Sequence, residues 1–242
     1  MDSVAATIRC DARGVLVERS NRFLAIVDIE GADDSSRQMA HVHDPGRLLE
    51  LLYPGNRLLL RRAVNPLRKT AWDVIAARHG DDWILIHSGF HRGIATRLLS
   101  SPDSPFGKLT DIRPEVTVGH SRLDFMATDR EGGTIGIEVK GCTLAIDGVA
   151  LFPDAPTERG RKHLNTLIGM VESGDRAGLL VLVLGPDAET FAPKADTDPA
   201  FAGTFRKAVD AGVEVHAVRF MYDGKNIHLM GEIPVADRPG PA

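Results

Sequence analysis

The chain of 242 residues carries a formal net charge of −4, an apolar fraction of 43% and a mean hydropathy of −0.09. These values describe a soluble globular protein of one large or two small domains, long enough to bury a core, and they exclude a simple cationic nucleic-acid coat. No apolar run reaches bilayer-spanning length, the charge-interrupted start MDSVAATIRCDARG is unlike a signal peptide, and Cys10 and Cys142 stand in no metal-binding spacing, so they read as reduced thiols of a cytoplasmic protein.

In chain order, ATIRCDARGVLVERS, RFLAIVDIE and RQMAHVHD alternate as antiparallel strands do, with Gly, Asn and Ser between them. A short helix is expected over RLLELL, capped by Asp44. Tyr53-Pro54-Gly55-Asn56 turns into a strand, RLLLRRAV, and a hairpin follows in WDVIAARHG and DDWILIHS. Several short strands with one small helix suggest a closed barrel of the oligonucleotide-binding (OB) type over residues 1–84. Its basic residues gather at Arg57, Arg61, Arg62, Arg68 and Lys69. Arg57 and Arg61 fall on one strand face, while Arg68-Lys69 follow the turn at Asn65-Pro66. They suit phosphate contacts, and a solubilised edge strand is the alternative. Aromatic platforms for stacked bases are sparse, with Tyr53, Trp72 and Trp83 the candidates. His41 and His43 share a strand face with no third ligand at hand, and read as surface or loop histidines.

A short helix over HRGIATRLLSS, ended by Pro102 and Pro105, opens the second domain, residues 85–242. Strands RPEVTVG, SRLDFMA, GTIGIEVKG and LAIDGVALF lead to a helix from about Thr157 to Glu172, with Leu164, Leu167, Ile168 and Val171 at i, i+3, i+4 and i+7. Gly174 ends it. The unbroken apolar run AGLLVLVLG reads as a strand covered on both faces. A helix over DPAFAGTFRKAVDAG and the strand VEVHAVRF complete a mixed α/β pattern. The tail from Pro234 is expected to fray.

The chemistry concentrates between Ser121 and His163. In IGIEVK, Ile135, Ile137 and Val139 share one strand face and Glu138 and Lys140 the other. In RLDFMA, Asp124 lies opposite Leu123 and Phe125. Adjacent strands would bring Asp124, Glu138 and Lys140 together as two carboxylate ligands for Mg²⁺ or Mn²⁺ with an ammonium beside them, a set suited to polarising a phosphoryl oxygen and positioning water. A surface Glu-x-Lys ion pair is the alternative. The run ERGRKH places Arg159, Arg161, Lys162 and His163 in the first turns of a helix, where the macrodipole favours anions. Arg159, Lys162 and His163 fall on one face, opposite the leucine stripe, as expected of phosphate contacts, and a solvated polar face is the rival reading. Charge is uneven. Residues 37–113 hold 12 Lys and Arg against 7 Asp and Glu, and residues from 114 onward hold 13 against 19, which suits a basic binding half and an acidic, metal-binding half.

The runs SRLDF, EVKGCTL and ALFPDAPTERGRKHL, with ERSNRFLA, HVHDPGRLLELLYPG, NPLRK and GVEVHA, resemble the SfsA family of sugar fermentation stimulation proteins over nearly the whole chain. The resemblance implies an N-terminal OB-like barrel and a C-terminal domain of the PD-(D/E)xK nuclease type. It makes Asp124, Glu138 and Lys140 the nuclease triad and places Thr143, Arg159, Lys162 and His163 in the same cleft. The function it implies is DNA binding, single- or double-stranded, with divalent-metal-dependent phosphodiester hydrolysis. The alternative is a non-catalytic DNA-binding regulator of sugar metabolism that keeps the nuclease fold. A homodimer is compatible with it, and a membrane is not. Two positions depart from the family pattern. Asp44-Pro45 stand where an Asn-Thr pair is usual, and Arg92 and Arg97 stand near where a helix acid would support the metal, with Glu115 as a candidate substitute.

Overall fold

In the computed structural model, which describes residues 4–31, 37–65, 67–185 and 187–236, the N-terminal strands close on themselves. They are β1 (Val4–Thr7), β2 (Ala12–Asn21), β3 (Leu24–Ile29), β4 (Gln38–Val42), β5 (Arg57–Arg62), β6 (Trp72–His79) and β7 (Asp82–Leu85). β2, β3 and β4 pair antiparallel in succession, and β5 joins β2 and β6. The parallel pairing of β4 with β6, His41 opposite Asp73, completes the ring. That is the five-stranded barrel the alternating pattern implied. Leu16, Val27, Val42, Leu58, Leu60 and Val74 fill it. Gly14 is required where β2 passes β3, because a Cβ there would lie 2.7 Å from the Asp28 carbonyl oxygen.

Two details depart from the sequence reading. Residues 47–52 hold a turn at 49–51 rather than a helix. Leu48 sits at φ 47°, which no right-handed helix tolerates, and Asp44 accepts from the Gly46 N–H instead of capping a helix. Leu58, Leu59 and Leu60 are all buried, so exposure does not alternate along β5; the bulge here inserts Ile75 into the facing β6, while β5 pairs with β2 without a break and keeps Arg57 and Arg61 on one strand face. Pro66, half of the expected Asn65-Pro66 turn, lies outside the described residues.

After a 3-10 turn at Ser88–Phe90 come α1 (His91–Leu99), β8 (Thr110–Val118), β9 (Ser121–Thr128), β10 (Thr134–Cys142), β11 (Ala145–Ile146) and β12 (Val149–Phe152). Then follow α2 (Glu158–Glu172), β13 (Arg176–Val183), β14 (Thr190–Pro193), α3 (Pro199–Ala211), β15 (Glu214–Tyr222) and β16 (Asn226–Ile233). The chain divides into Met1–Phe90 with Phe220–Leu229, and His91–Arg219 with Met230–Ala242. The division therefore falls at Phe90/His91 rather than at 84/85. A late hairpin segment returns to the first unit, where Val4 pairs with His228 and Trp83 with Tyr222.

In the second unit the strands β8-β9-β10-β13-β15 lie in that order, with β10, β13 and β15 parallel. β13 is buried along almost its whole length, as its unbroken apolar run requires. A Cβ on Gly136 would strike Met170 of α2, and one on Gly141 would lie 2.2 Å from the His91 ring of α1. Positions 136 and 141 point to opposite sides of a strand, so α2 and α1 cover opposite faces of β10. LAIDGVALF, expected as one strand, is the hairpin β11–β12. Asp147 and Gly148, both at positive φ, make its turn. Pro234 and Ala236, expected to fray, exchange backbone hydrogen bonds with Phe191, while residues 237–242 lie outside the described residues.

Candidate active site

β9 and β10 pair from Thr128–Thr134 to Phe125–Ile137, where the ladder ends. There the Asp124 side chain takes over, its Oδ2 accepting the Val139 N–H at 2.8 Å. The carboxylate thus bonds the residue between Glu138 and Lys140, and the three groups predicted from strand alternation converge. Glu138 is 1% exposed. Its Oε1 receives both the Lys140 Nζ and the His163 Nδ1, while its Oε2 is buried without a hydrogen-bond partner among the described residues. Lys140 Nζ also approaches His163 Nδ1 to 3.4 Å. Arg159 Nε lies 3.4 Å from His163 Nε2. Guanidinium can only donate, so Nε2 is the acceptor and Nδ1 carries the proton given to Glu138.

The electrostatics follow from this packing. Burial pushes the Glu138 carboxyl up, but the His163 bond and the Lys140 ammonium outweigh it and hold the group below its ordinary value. Asp124 goes the other way: burial, and then the negative charge of Glu138, raise its pKa against the Val139 bond. The two neighbouring carboxylates are thus displaced in opposite senses, and one of them keeps an oxygen buried without a partner among the described residues.

His163 was expected on the exposed side of α2 with Arg159 and Lys162. Instead it is buried at 5% exposure, on the face of Gly160, Leu167 and Met170. The spacing 163, 167, 170 (i, i+4, i+7) carried that signal. Arg159 and Lys162 are exposed and line an open groove of about 1000 Å³ between α2 and the β8–β9 turn. Thr143 follows the end of β10, half-buried. Arg161 is engaged elsewhere: it holds both oxygens of Asp198, which caps α3 through the Phe201 N–H and also accepts the Thr157 N–H. Thr157 in turn caps α2. Glu115 lies across from Asp124, between the pairs Pro114–Phe125 and Val116–Leu123, but its carboxylate is taken by Arg92 and, at 3.5 Å, by Arg122.

On the barrel, Arg57 and Lys69 are exposed, with Glu30 at 3.7 Å from Arg57. Arg61 lies over the Phe90 ring and Arg68 is bonded to Asp73. Trp72 and Trp83 carry Arg62 and Arg78 on their faces, leaving Tyr53 as the exposed member of the expected aromatic platforms. Among the described residues, the group of three ligating side chains within 4.8 Å of one another is His43, Asp73 and His87, also on the first unit. The expectation that His43 had no third ligand is corrected, since His87 arrives from a distant strand end. Burial holds the His87 ring neutral at ordinary pH, its pKa lowered to about 4. No helix among the described residues is long and apolar enough to cross a membrane.

Barrel and α/β unit define a two-part protein, an OB domain followed by a sheet that gathers two carboxylates and a lysine. Residues 17–86 match the family model of the SfsA N-terminal OB domain, and residues 89–226 that of the sugar fermentation stimulation protein RE domain. The chain belongs to the sugar fermentation stimulation protein family. Its homologue from Methanococcoides burtonii is 46% identical over 93% of this chain and 92% of that one. The homologue from Sulfurisphaera tokodaii is 44% identical over 91% and 88%. Among solved structures, Pyrococcus furiosus SfsA in complex with Ca²⁺ superposes with a TM-score of 0.86 at 25% identity, covering 97% of this chain and 99% of that one.

Proposed function

We propose that the protein binds DNA and hydrolyses its phosphodiester bonds with Mg²⁺ or Mn²⁺, using a PD-(D/E)xK-type site of Asp124, Glu138 and Lys140. The observation that carries this reading is the buried, unpartnered Oε2 of Glu138 beside a second carboxylate, a donor set that fits a hard divalent cation. The Ca²⁺ held by the Pyrococcus relative supports the same cation class. A metal bound there supplies Lewis-acid polarisation of a phosphoryl oxygen and a more acidic water. Asp124 and Glu138 would hold it. His163 fixes the Glu138 rotamer through Oε1 and so aims Oε2, a positioning role in place of the phosphate contact expected of it. Lys140 places an ammonium beside the reacting phosphate to orient the attacking water and offset developing charge. Thr143, Arg159 and Lys162 contact the neighbouring phosphates. On the barrel, Arg57 and Lys69 track the strand, while Arg61 and Arg68 are held by Phe90 and Asp73.

A second reading is a DNA-binding regulator without turnover. It is favoured by α1, which contains no acidic residue and instead neutralises Glu115 with Arg92, so α1 brings no carboxylate for a second metal. A cleavage assay on single- and double-stranded DNA separates the two. Scission in Mn²⁺ that EDTA and Lys140→Ala both abolish, with DNA binding retained by the variant, is the expected result. Equal cleavage by wild type and Lys140→Ala sinks the lysine's role. Salt-dependent binding with no scission under any metal establishes the regulator.

A further inference from the structure

The barrel's own topology assembles a second cluster of ligating side chains, distant in sequence. β5 lies along one side of β6 over both of its halves, Leu58 and Leu59 against Ala77 and Ala76, Arg61 and Arg62 against Asp73 and Trp72. The other side is shared. β4 takes the first half in parallel, ending at Val42 opposite Val74, and β7 takes the second half antiparallel, ending at Leu85 opposite Ala76. The two strand ends therefore run toward each other over the middle of β6, and the residues just past them, His43 and His87, meet there. Their rings stack with centroids 3.8 Å apart, and His43 Nε2 lies 2.9 Å from Asp73 Oδ1. Asp73 and His87 are buried, and Ser88 Oγ holds the His43 carbonyl at 2.6 Å, so the backbone at the junction is pinned.

The geometry points to a divalent transition-metal site formed by His43, Asp73 and His87 in the OB unit, separate from the carboxylate site of the second unit. One ligand atom from each residue already lies within 4.8 Å of the other two. Donors around a tetrahedral zinc stand about 3.4 Å apart, so small side-chain rotations close the site. Two imidazoles and one carboxylate suit a borderline cation such as Zn²⁺, Co²⁺ or Fe²⁺ and leave coordination positions open. Mg²⁺ and Ca²⁺, which prefer oxygen-only surroundings, are poorly served by it. Three existing contacts hold these groups and compete with a cation: the Gly89 N–H to His87 Nδ1, at 3.2 Å, and, on Asp73 Oδ1, His43 Nε2 at 2.9 Å and the Arg68 guanidinium at 2.7 Å. The Arg68 guanidinium sets a fixed positive charge against the carboxylate the cation needs, which fixes the sign of an experiment. Removing that guanidinium strengthens metal binding.

Titrating the metal-stripped full-length protein with Co²⁺, followed by its visible d–d absorption, tests the site. The wild type is expected to take up one equivalent with the spectrum of a nitrogen-ligated ion, beside any oxygen-ligated Co²⁺ at the carboxylate site, and Glu138→Gln to leave the nitrogen-ligated uptake intact. Asp73→Asn and His87→Ala weaken it by at least about tenfold, and Arg68→Met tightens it. The gain in Arg68→Met cannot come from misfolding, so the site stays testable if a ligand variant is unstable. Absence of nitrogen-ligated Co²⁺ uptake by the wild type overturns the assignment. So does such uptake indifferent to Asp73→Asn and His87→Ala, such uptake lost in Glu138→Gln, or weaker binding in Arg68→Met.

Discussion

Glu138 concentrates the electrostatics of the second unit in two oxygen atoms. Oε1 is engaged by Lys140 and His163, and Oε2 has no hydrogen-bond partner among the described residues. Taking away the histidine would leave a buried acceptor short of a donor and free the carboxylate to rotate. His163→Ala is therefore expected to cost about 1–3 kcal/mol of stability, read from denaturant midpoints. It should also weaken Mn²⁺ binding about 10- to 100-fold, read by titration. Unchanged Mn²⁺ affinity in this variant would remove the positioning role. Asp124 adds a pH dependence to the same measurement. Burial and Glu138 raise its pKa, so protons compete with a cation for it at higher pH than for an ordinary aspartate, and Mn²⁺ affinity should decline as the solution is acidified.

At the scale of elements, one aspartate ties two helix starts together. Asp198 caps α3, accepts the Thr157 N–H at the start of α2, and is forked by Arg161. Arg161 is thereby spent on structure, although it stands among the basic residues that the sequence offers for phosphate. Asp198→Ala should cost about 1–2 kcal/mol from the cap alone. The loss should fall on α2 as well as α3, visible as faster amide exchange in the first turns of both helices, and exchange confined to α3 would contradict the tie. Burial raises the Asp198 pKa, but the two backbone N–H groups and Arg161 outweigh it, and the net shift is downward. Its stabilisation is accordingly present above the ordinary aspartate pKa and is lost as pH falls through the depressed one. In Asp198→Ala the acid limb of the stability profile should flatten.

Over the whole molecule, cationic side chains divide into exposed and committed ones. Arg57 and Lys69 are exposed, whereas Arg61 packs on Phe90 and Arg68 is held by Asp73. If DNA runs along the barrel, neutralising Arg57 or Lys69 should each reduce the slope of log K against log salt by about 0.7–0.9, and Arg61→Gln should change it far less. Equal slope changes for all three variants would mean that Arg61 leaves its ring to meet phosphate. The net charge of −4 does not decide this point, because it sums acidic excesses in residues 1–36 and from 114 onward with the basic excess of residues 37–113.

Periodicity alone determined a good part of this protein. Alternation in short runs foretold the barrel, the unbroken run at 177–185 foretold a strand buried on both faces, and the spacing in IGIEVK put Glu138 and Lys140 on one side. These are local properties, in which each residue's face follows from its neighbours. Local patterns failed where a single backbone angle changed the count: Leu48 at positive φ cancelled a helix. Only the tertiary structure decided which cations remain free, since an ion pair such as Arg68–Asp73 or Arg161–Asp198 depends on what faces the side chain across space. It also decided that His163 turns inward to Glu138, and that His43 and His87, 44 positions apart, meet over β6. The stretch from Ser121 to His163 announced its carboxylates and lysine in sequence. That Glu138 keeps one oxygen bare is a fact of packing, set by how α2 lies on β10.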